Sequence, residues 1–155
     1  FALNTTKMNN ITIKIIEKEA ILSILPLLKT VNTATPEPIL TNRLLAMAEE
    51  NYECVGMYDQ EKLIGISGLW YMTRHYIGKI VEPDHVVIDQ DYQNQGLGKQ
   101  LFEWIYDHAK SKGCEASELN TYVQNRKSHK FYYNEGYEIY GFHFVKILRD
   151  DSLFY

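Results

Sequence analysis

The chain has 155 residues, 45% of them hydrophobic, which predicts one domain with its own core and leaves little room for a second. Its formal net charge of -4, without any run of basic residues, argues against nucleic acid or an anionic membrane as a partner. No apolar stretch is long enough to span a membrane, and Cys54 and Cys114 belong to no C-x-x-C pair. The sequence therefore predicts a cytoplasmic protein without a disulfide framework.

The first seven residues, FALNTTK, precede Met8 and are unlike the start of a native chain. We interpret them as a remnant of an expression vector, outside the fold. They also lack the basic and then apolar pattern of a signal peptide. The predicted domain therefore covers residues 8–155.

Hydrophobic periodicity predicts an α/β fold with the element order β-α-α-β-β-β-α-β-α-β-β. The predicted strands cover residues 11–16, 52–58, 63–71, 79–89 and 117–123, followed by a hairpin over residues 137–148 that turns near Gly141. The predicted helices cover residues 20–29, 37–50, the stretch from the glycine loop to about 112, and 126–135. Pro26 is expected to bend or shorten the first helix. This order favours a mixed central sheet of about six to seven strands, flanked by about four helices.

The junction at residues 91–100, DYQNQGLGKQ, carries the strongest functional signal, because a strand leads into it and a helix leaves it. Gly96 and Gly98 remove side chains where the helix begins, so several backbone N–H groups can point at one anion. The positive end of the helix dipole adds to that attraction, which predicts a pyrophosphate site. An ATP site is least favoured, since no Lys-Ser/Thr pair follows the last glycine.

Two motifs resemble those of the GNAT superfamily of acyl-CoA-dependent N-acyltransferases. Residues 93–98, QNQGLG, resemble the family's Gln/Arg-x-x-Gly-x-Gly/Ala pyrophosphate loop, and residues 125–137 resemble its Asn-x-x-Ala/Ser-x-x-Phe-Tyr-x-x-x-Gly-Phe helix. The resemblance implies an acetyltransferase that uses acetyl-CoA and no metal, and that modifies a primary amine of a small molecule or a protein. The alternative is a module on the same fold that binds acyl-CoA without turnover.

The resemblance also implies which residues contact the donor. A gap between strand residues 86–89 and 117–123 would admit the pantetheine arm, with main-chain N–H groups of the first strand bonding its carbonyl groups. The expected contacts are Val86, Val87, Ile88, Gln93, Asn94, Gln95, Gly96, Leu97, Gly98, Lys99, Asn125 and Tyr132. Two of them have ordinary alternatives: Asn125 either binds the arm or caps the helix beginning at Arg126, and Lys99 either meets a phosphate or lies on the helix surface.

Acetyl transfer to an alkylamine requires a proton acceptor, because an amine with a pKa of about 10.4 is protonated at neutral pH. Glu82 is the first candidate, since some family members carry a catalytic glutamate at its separation from Gln93. Asp84, on the same strand face, His85, which alternation points away from Glu82, and a water chain remain open. The resemblance implies that Tyr132 protonates the leaving thiolate or donates a hydrogen bond to it.

The acceptor is not identified by the sequence. An aromatic and polar group around Trp70, Tyr71 and Tyr76 could line its pocket, but such groups are more often part of a core. The expected partners are therefore acetyl-CoA and an unidentified amine. The choice between a monomer and a homodimer stays open.

Overall fold

The computed structural model describes residues 10–155, so the prediction for residues 1–7 lies outside the described part of the chain. Within that part the elements are β1 (Ile11–Ile16), α1 (Leu25–Val31), α2 (Glu37–Met47), β2 (Tyr52–Asp59), β3 (Lys62–Arg74), β4 (Gly78–Ile88), α3 (Leu97–Ser111), β5 (Ala116–Ser117) and α4 (Arg126–Asn134). Short 3-10 segments precede α1 (Lys18–Ile24) and α3 (Gln90–Tyr92).

The strands form one mixed sheet in the order β1-β2-β3-β4-β5, which confirms the predicted α/β class. The first four strands pair antiparallel with one another, and β5 runs parallel to β4. The parallel pair is short, because only Ile80 and Val81 of β4 pair with β5. Beyond Val81 no described strand covers that side of β4. This open side of β4 becomes one wall of the candidate site.

Two apolar layers cover the two faces of the sheet. One layer packs α1 and α2 against side chains such as Cys54, Ile66 and Val87. The other packs α3 against side chains such as Val55 and Val81. Cys54 is 1% exposed, and burial raises the pKa of its thiol to about 12. The sheet is therefore a central partition with a different helical cover on each side.

The predicted sheet of six to seven strands is corrected to five in residues 10–155. Of the strand predicted at residues 117–123, only Ala116–Ser117 pairs, because the chain then diverges from β4. The hairpin predicted over residues 137–148 is absent, and that segment is neither helix nor strand. With so short an edge strand, the segment has almost no ladder within its own chain to extend.

The helices differ from the prediction mainly at their ends. Pro26 stands in the first turn of α1, where its missing N–H group has no intrahelical partner in any case, so it begins the α-helix instead of bending it. The second helix was predicted to reach residue 50 but ends at Met47. None of the helices in residues 10–155 has the length and apolar character needed to cross a bilayer.

Candidate functional site

A bulge in β4 determines which side chains face the site. Ile66 of β3 pairs with Val87 and Gly68 pairs with Asp84, so His85 and Val86 together stand opposite a single residue. His85 has a φ of 37°, which is uncommon for a residue other than glycine. The extra residue inverts the alternation, so that Val86 and Ile88 face the α3 side while Val87 packs under α1 and α2.

The loop before α3 turns through Gly96, which has a φ of 75° and open space where a Cβ atom would lie. Glycine is favoured there by its backbone conformation rather than by crowding. The first helical hydrogen bond joins the Gln100 N–H to the Gly96 carbonyl at 3.2 Å. The three N–H groups of residues 97–99 precede it and belong to the helix terminus, where an anion can accept from them.

Gly98 has a different role, because it brings α3 close to α4. A Cβ atom at Gly98 would lie 3.4 Å from the ring of Phe131. That separation is an ordinary van der Waals contact, so an alanine would fit against the ring, whereas a longer side chain would meet it. The two glycines of the motif thus serve the turn and the helix contact respectively.

A cleft of about 370 Å³ opens between the end of β4, the glycine loop and α4. It is lined by Val86, Ile88, Tyr92, Gln93, Asn94, Gly96, Leu97, Gly98, Lys99, Lys127, Ser128, Phe131 and Tyr132. Lys99 and Lys127 give its mouth positive charge, and Lys127 Nζ lies 3.4 Å from Gln93 Oε1. A helix terminus, two lysines and an apolar floor together fit a phosphorylated ligand with an apolar arm.

Most of the residues predicted to contact the donor line this cleft, but three do not. Val87 is 5% exposed and lies on the other face of the sheet. Gln95 is exposed outside the lining. Asn125 acts as the N-cap of α4, where its Oδ1 accepts from the Ser128 N–H at 3.3 Å. The structure thus shows the capping arrangement that the sequence left open for Asn125.

Four lining residues were missed by the sequence analysis. Three of them, Lys127, Ser128 and Phe131, lie inside the motif at residues 125–137, near the start of α4. That position in the motif could have predicted their contact with the cleft. Tyr92 had no such signal. Its hydroxyl donates to the Asp59 carboxylate at 2.8 Å, a contact that depends on how the β2–β3 turn meets the glycine loop.

Tyr132 lies at the apolar end of the cleft. Its ring packs within 6 Å of the centroids of Phe102, Phe131 and Tyr137. Burial, with smaller contributions from the nearby Tyr137 and Asp84, raises the pKa of Tyr132 to about 12. The hydroxyl is therefore protonated at neutral pH and available as a hydrogen-bond donor.

The opposite face of β4 carries a set of polar and aromatic side chains, Tyr52, Trp70, Asp84 and His85, here named the β4 polar cluster. Trp70 Nε1 donates to Asp84 at 3.2 Å, and the Tyr52 hydroxyl lies 2.7 Å from His85 Nε2. Within residues 10–155, His85 Nδ1 is buried without a hydrogen-bond partner. Burial lowers the pKa of His85, which keeps the ring neutral.

The candidate bases all lie along this face. Glu82 Oε1 accepts from Asn120 Nδ2 at 2.8 Å, and Glu82 pairs with Trp70 across the β3–β4 ladder. The expectation that His85 points away from Glu82 is wrong, because the bulge turns the His85 ring toward Tyr52. Tyr52 pairs with Trp70, and Trp70 pairs with Glu82, so His85 and Glu82 lie on the same face of the sheet. Asp84 also acts electrostatically on Tyr132. The polar cluster and the cleft therefore adjoin at β4.

The chain matches the family model described as "Acetyltransferase (GNAT) family" over residues 20–137. Among curated relatives, it is 33% identical to the aminoalkylphosphonate N-acetyltransferase of Salmonella typhimurium over 102 residues, which are 66% of this chain and 61% of that protein. It is 30% identical to the probable N-acetyltransferase 14 of Xenopus tropicalis over 56% of this chain and 41% of that protein. The chain thus spans less than two thirds of the curated relatives it matches.

Solved structures show the same fold. An aminoglycoside acetyltransferase from an uncultured soil metagenomic sample, in complex with trehalose, aligns with a TM-score of 0.77 at 18% identity and covers 92% of this chain and 99% of its own. The aminoglycoside N-acetyltransferase AAC(6')-Iy in complex with CoA aligns with a TM-score of 0.78 at 15% identity and covers 90% and 95%.

Proposed function

Because the chain belongs to the acetyltransferase (GNAT) family, we propose that it transfers an acetyl group from acetyl-CoA to the primary amine of an acceptor, with both substrates bound at once. The observation that supports the proposal is the cleft, whose lining includes the N-terminus of α3, the two lysines Lys99 and Lys127, and Tyr132. Bound acetyl-CoA would supply an activated acetyl thioester.

The glycine loop would hold the diphosphate of the donor. Gly96 exposes the helix terminus, and Lys99 and Lys127 add two positive charges at the mouth of the cleft. The apolar arm would pass along Val86 and Ile88, which line the cleft. Since no described strand pairs with β4 beyond Val81 on that side, the main chain of residues 86–88 would bond the arm in the manner of a strand.

Tyr132 would stabilise the departing thiolate by donating a hydrogen bond. A phenol with a pKa near 12 is a much weaker acid than a thiol near 8.5, so complete proton transfer would be uphill by roughly 5 kcal/mol. If Tyr132 keeps its proton, this free-energy cost does not arise, and the hydroxyl still stabilises the negative charge on sulfur by donating a hydrogen bond. We therefore assign Tyr132 as a hydrogen-bond donor to the leaving group.

The amine proton would leave on the β4 polar side. Glu82 is our first candidate for the acceptor of that proton, and Asp84 is the second. Glu82 accepts a hydrogen bond from Asn120, whereas the exposed Asp84 accepts one from Trp70 and acts electrostatically on Tyr132.

The acceptor is proposed to be a small primary amine. Relatives in sequence and in structure are named for aminoalkylphosphonates and aminoglycosides, which are both small-molecule amines. We propose this class ahead of protein amines. Aminoalkylphosphonates and aminoglycosides differ in the charge that they carry besides the reacting amine, so comparing the two classes of compound tests which charge the acceptor site prefers.

The test is a panel of amines assayed for release of free CoA. It should contain an aminoalkylphosphonate, an aminoglycoside, a simple alkylamine and a peptide with a free N-terminus. The expected result is amine-dependent CoA release by wild type and a strong decrease for Tyr132→Phe. Binding of acetyl-CoA, measured by calorimetry, without release for any amine would instead favour a non-catalytic binding module.

A further inference from the structure

The side chains of Glu82 and Asn120 meet across the gap that opens where the chain after β5 leaves β4. Among the described residues, the last backbone hydrogen bond between these two stretches joins the Glu118 N–H to the Val81 carbonyl at 3.0 Å. Beyond that bond, Asn120 Nδ2 donates to Glu82 Oε1 at 2.8 Å. The pair therefore lies at the narrow end of the gap.

The pair lies on the face of the sheet that α1 and α2 cover in part. Glu82 pairs with Trp70 across the β3–β4 ladder, and Trp70 packs against the apolar layer under these helices. Ser117, the last paired residue of β5, turns its hydroxyl the other way, to Tyr137 on the α3 side. Asn120 thus reaches the face on which the acceptor is proposed to lose its amine proton.

The chemistry of the contact determines which way the Asn120 amide is oriented. A carboxylate only accepts hydrogen bonds, so the amide nitrogen faces Glu82 and the amide oxygen Oδ1 is directed elsewhere. Within residues 10–155, neither Asn120 Oδ1 nor Glu82 Oε2 takes part in a hydrogen bond. Asn120 is exposed and Glu82 is half-buried, so both oxygens are accessible to a ligand.

We propose that Asn120 Oδ1 and Glu82 Oε2 form the subsite for the primary ammonium group of the acceptor, an inference that rests on the proposed acetyl transfer. A primary ammonium group has three N–H donors and no acceptor, so it can donate to both oxygens at once. Asn120 has a second role as a positioning residue, because its bond to Oε1 leaves Oε2 facing the N–H that must lose its proton. A quaternary ammonium group has no N–H and is not held in this way.

Trp70 provides the apolar side of the subsite. Its ring lies 4.8 Å from the Tyr52 ring, and its Nε1 donates to Asp84 at 3.2 Å, so two contacts fix the indole. Residues directly opposite each other on paired strands have Cβ atoms about 4.5–5.5 Å apart, which places the indole beside Glu82. An aromatic ring at that place attracts a cation and covers the carbon atom next to its nitrogen.

The subsite lies within reach of the acyl end of the donor. Val86 and Ile88 line the cleft along which the arm is proposed to pass. Glu82 is four residues before Val86, and the bulge takes up one of them, so roughly 10 Å of strand separates the two. The glutamate side chain, the ammonium group and the acyl group together span that distance.

The experiment compares two probes that are independent of the acceptor's identity. S-(2-aminoethyl)-CoA carries a primary ammonium group near the sulfur, and S-propyl-CoA has a methyl group in its place. Calorimetry at pH 7 should show that wild type binds the ammonium probe at least about tenfold more tightly. Asn120→Ala and Glu82→Gln should each reduce this preference to less than about threefold. Asn134→Ala, which alters an exposed asparagine at the end of α4, should retain it.

The S-propyl-CoA titration also shows whether each variant is folded, since its affinity should stay at the wild-type value. Equal affinity of wild type for the two probes would overturn the proposal, as would a preference that survives both substitutions. These titrations need no turnover. A protein that prefers the ammonium probe but releases no CoA with any amine would therefore keep the subsite and lose the proposed acetyl transfer.

Steady-state kinetics with the best amine of the panel gives the second measurement. Asn120→Ala should raise KM for the amine about tenfold and leave the affinity for acetyl-CoA unchanged. In the Glu82→Gln background the same substitution should cost much less, because Asn120 acts partly through Glu82. Losses in kcat/KM that add without coupling would contradict the positioning role of Asn120.

Discussion

The two faces of β4 are built from different parts of the chain. The α3 face, with Val86 and Ile88, belongs to a cleft whose other walls come from the glycine loop and α4. The opposite face carries the β4 polar cluster, in which Tyr52 of β2 and Trp70 of β3 meet Asp84 and His85. The cleft relies on main-chain groups at a helix terminus, while the cluster relies on side chains brought together by sheet register.

The two faces of β4 are therefore suited to different tasks, which are binding of a diphosphate and acceptance of an amine proton. A diphosphate is recognised by backbone N–H groups and helix dipole, which depend on glycine positions and tolerate many neighbouring side chains. Accepting an amine proton requires a basic side chain near the amine, so it depends on which side chains stand on that face. Substitutions on the two faces should therefore give different kinetic signatures.

Gly96→Glu should have the largest effect. The change forces a φ of 75° on a residue with a Cβ atom and places a carboxylate where the diphosphate is expected, so stabilisation by acetyl-CoA should vanish. Thermal denaturation with and without acetyl-CoA measures this. Gly113→Glu is the matched control, because Gly113 has a φ of 80° and equally open surroundings at the other end of α3. Equal stabilisation of both variants by acetyl-CoA would remove the loop from the site.

Tyr132→Phe should reduce kcat about a hundredfold while the affinity for acetyl-CoA changes little. The substitution keeps the ring packing and removes only the hydroxyl, whose proposed role is to stabilise the leaving thiolate. Steady-state kinetics and calorimetry make the distinction. Tyr133→Phe is the control, since Tyr133 is the next residue of α4 and is 57% exposed. A Tyr132→Phe enzyme with wild-type kcat, under conditions where chemistry limits the rate, would make the residue structural.

Glu82→Gln should lower the rate about tenfold at neutral pH, a moderate loss because Asp84 and water can share the task. The rate should recover as pH approaches the pKa of the amine, near 10.4 for an alkylamine, where the free base is abundant. Asp84→Asn is the matched substitution on the same face. The pH dependence of kcat for both variants decides between the two carboxylates. If neither profile differs in shape from wild type, the proton acceptor lies elsewhere.

His85→Asn should have the smallest effect and act on stability. Burial lowers the pKa of His85 below its ordinary 6.5, so only the unfolded chain binds this proton just below that pH. The contribution of His85 to the free energy of unfolding of wild type should therefore be complete above about pH 6.5. It should be lost as pH falls, by at most about 1.4 kcal/mol per pH unit. Urea unfolding across this range should show a shallower slope for His85→Asn. The control His75→Asn alters an exposed histidine and should keep the wild-type slope.

The cleft was largely predictable from sequence because its parts are contiguous. The local geometry of the glycine loop follows from its glycines, so Gly96 and Gly98 could be placed before any contact was known. Tyr132 was placed by the resemblance of residues 125–137 to the family's helix motif. Tyr92 was missed because its role depends on Asp59, which lies 33 residues earlier in the chain.

The polar cluster and the sheet edge were less predictable. A bulge adds one residue without leaving a glycine or proline at His85, so simple alternation assigned the wrong direction to that side chain. The C-terminal hairpin was predicted from an alternating pattern that is present in the sequence. An alternating pattern alone does not determine which strand supplies the partner edge.

The burial of Cys54 has a practical consequence for measuring turnover. Only a thiolate reacts readily with disulfide reagents, and the pKa of Cys54 is raised to about 12 by burial, while burial also raises the pKa of Cys114. Both cysteines are free thiols that stay protonated at neutral pH. A chromogenic disulfide added to the reaction should therefore be consumed mainly by newly released CoA, giving a continuous optical signal over a low protein background.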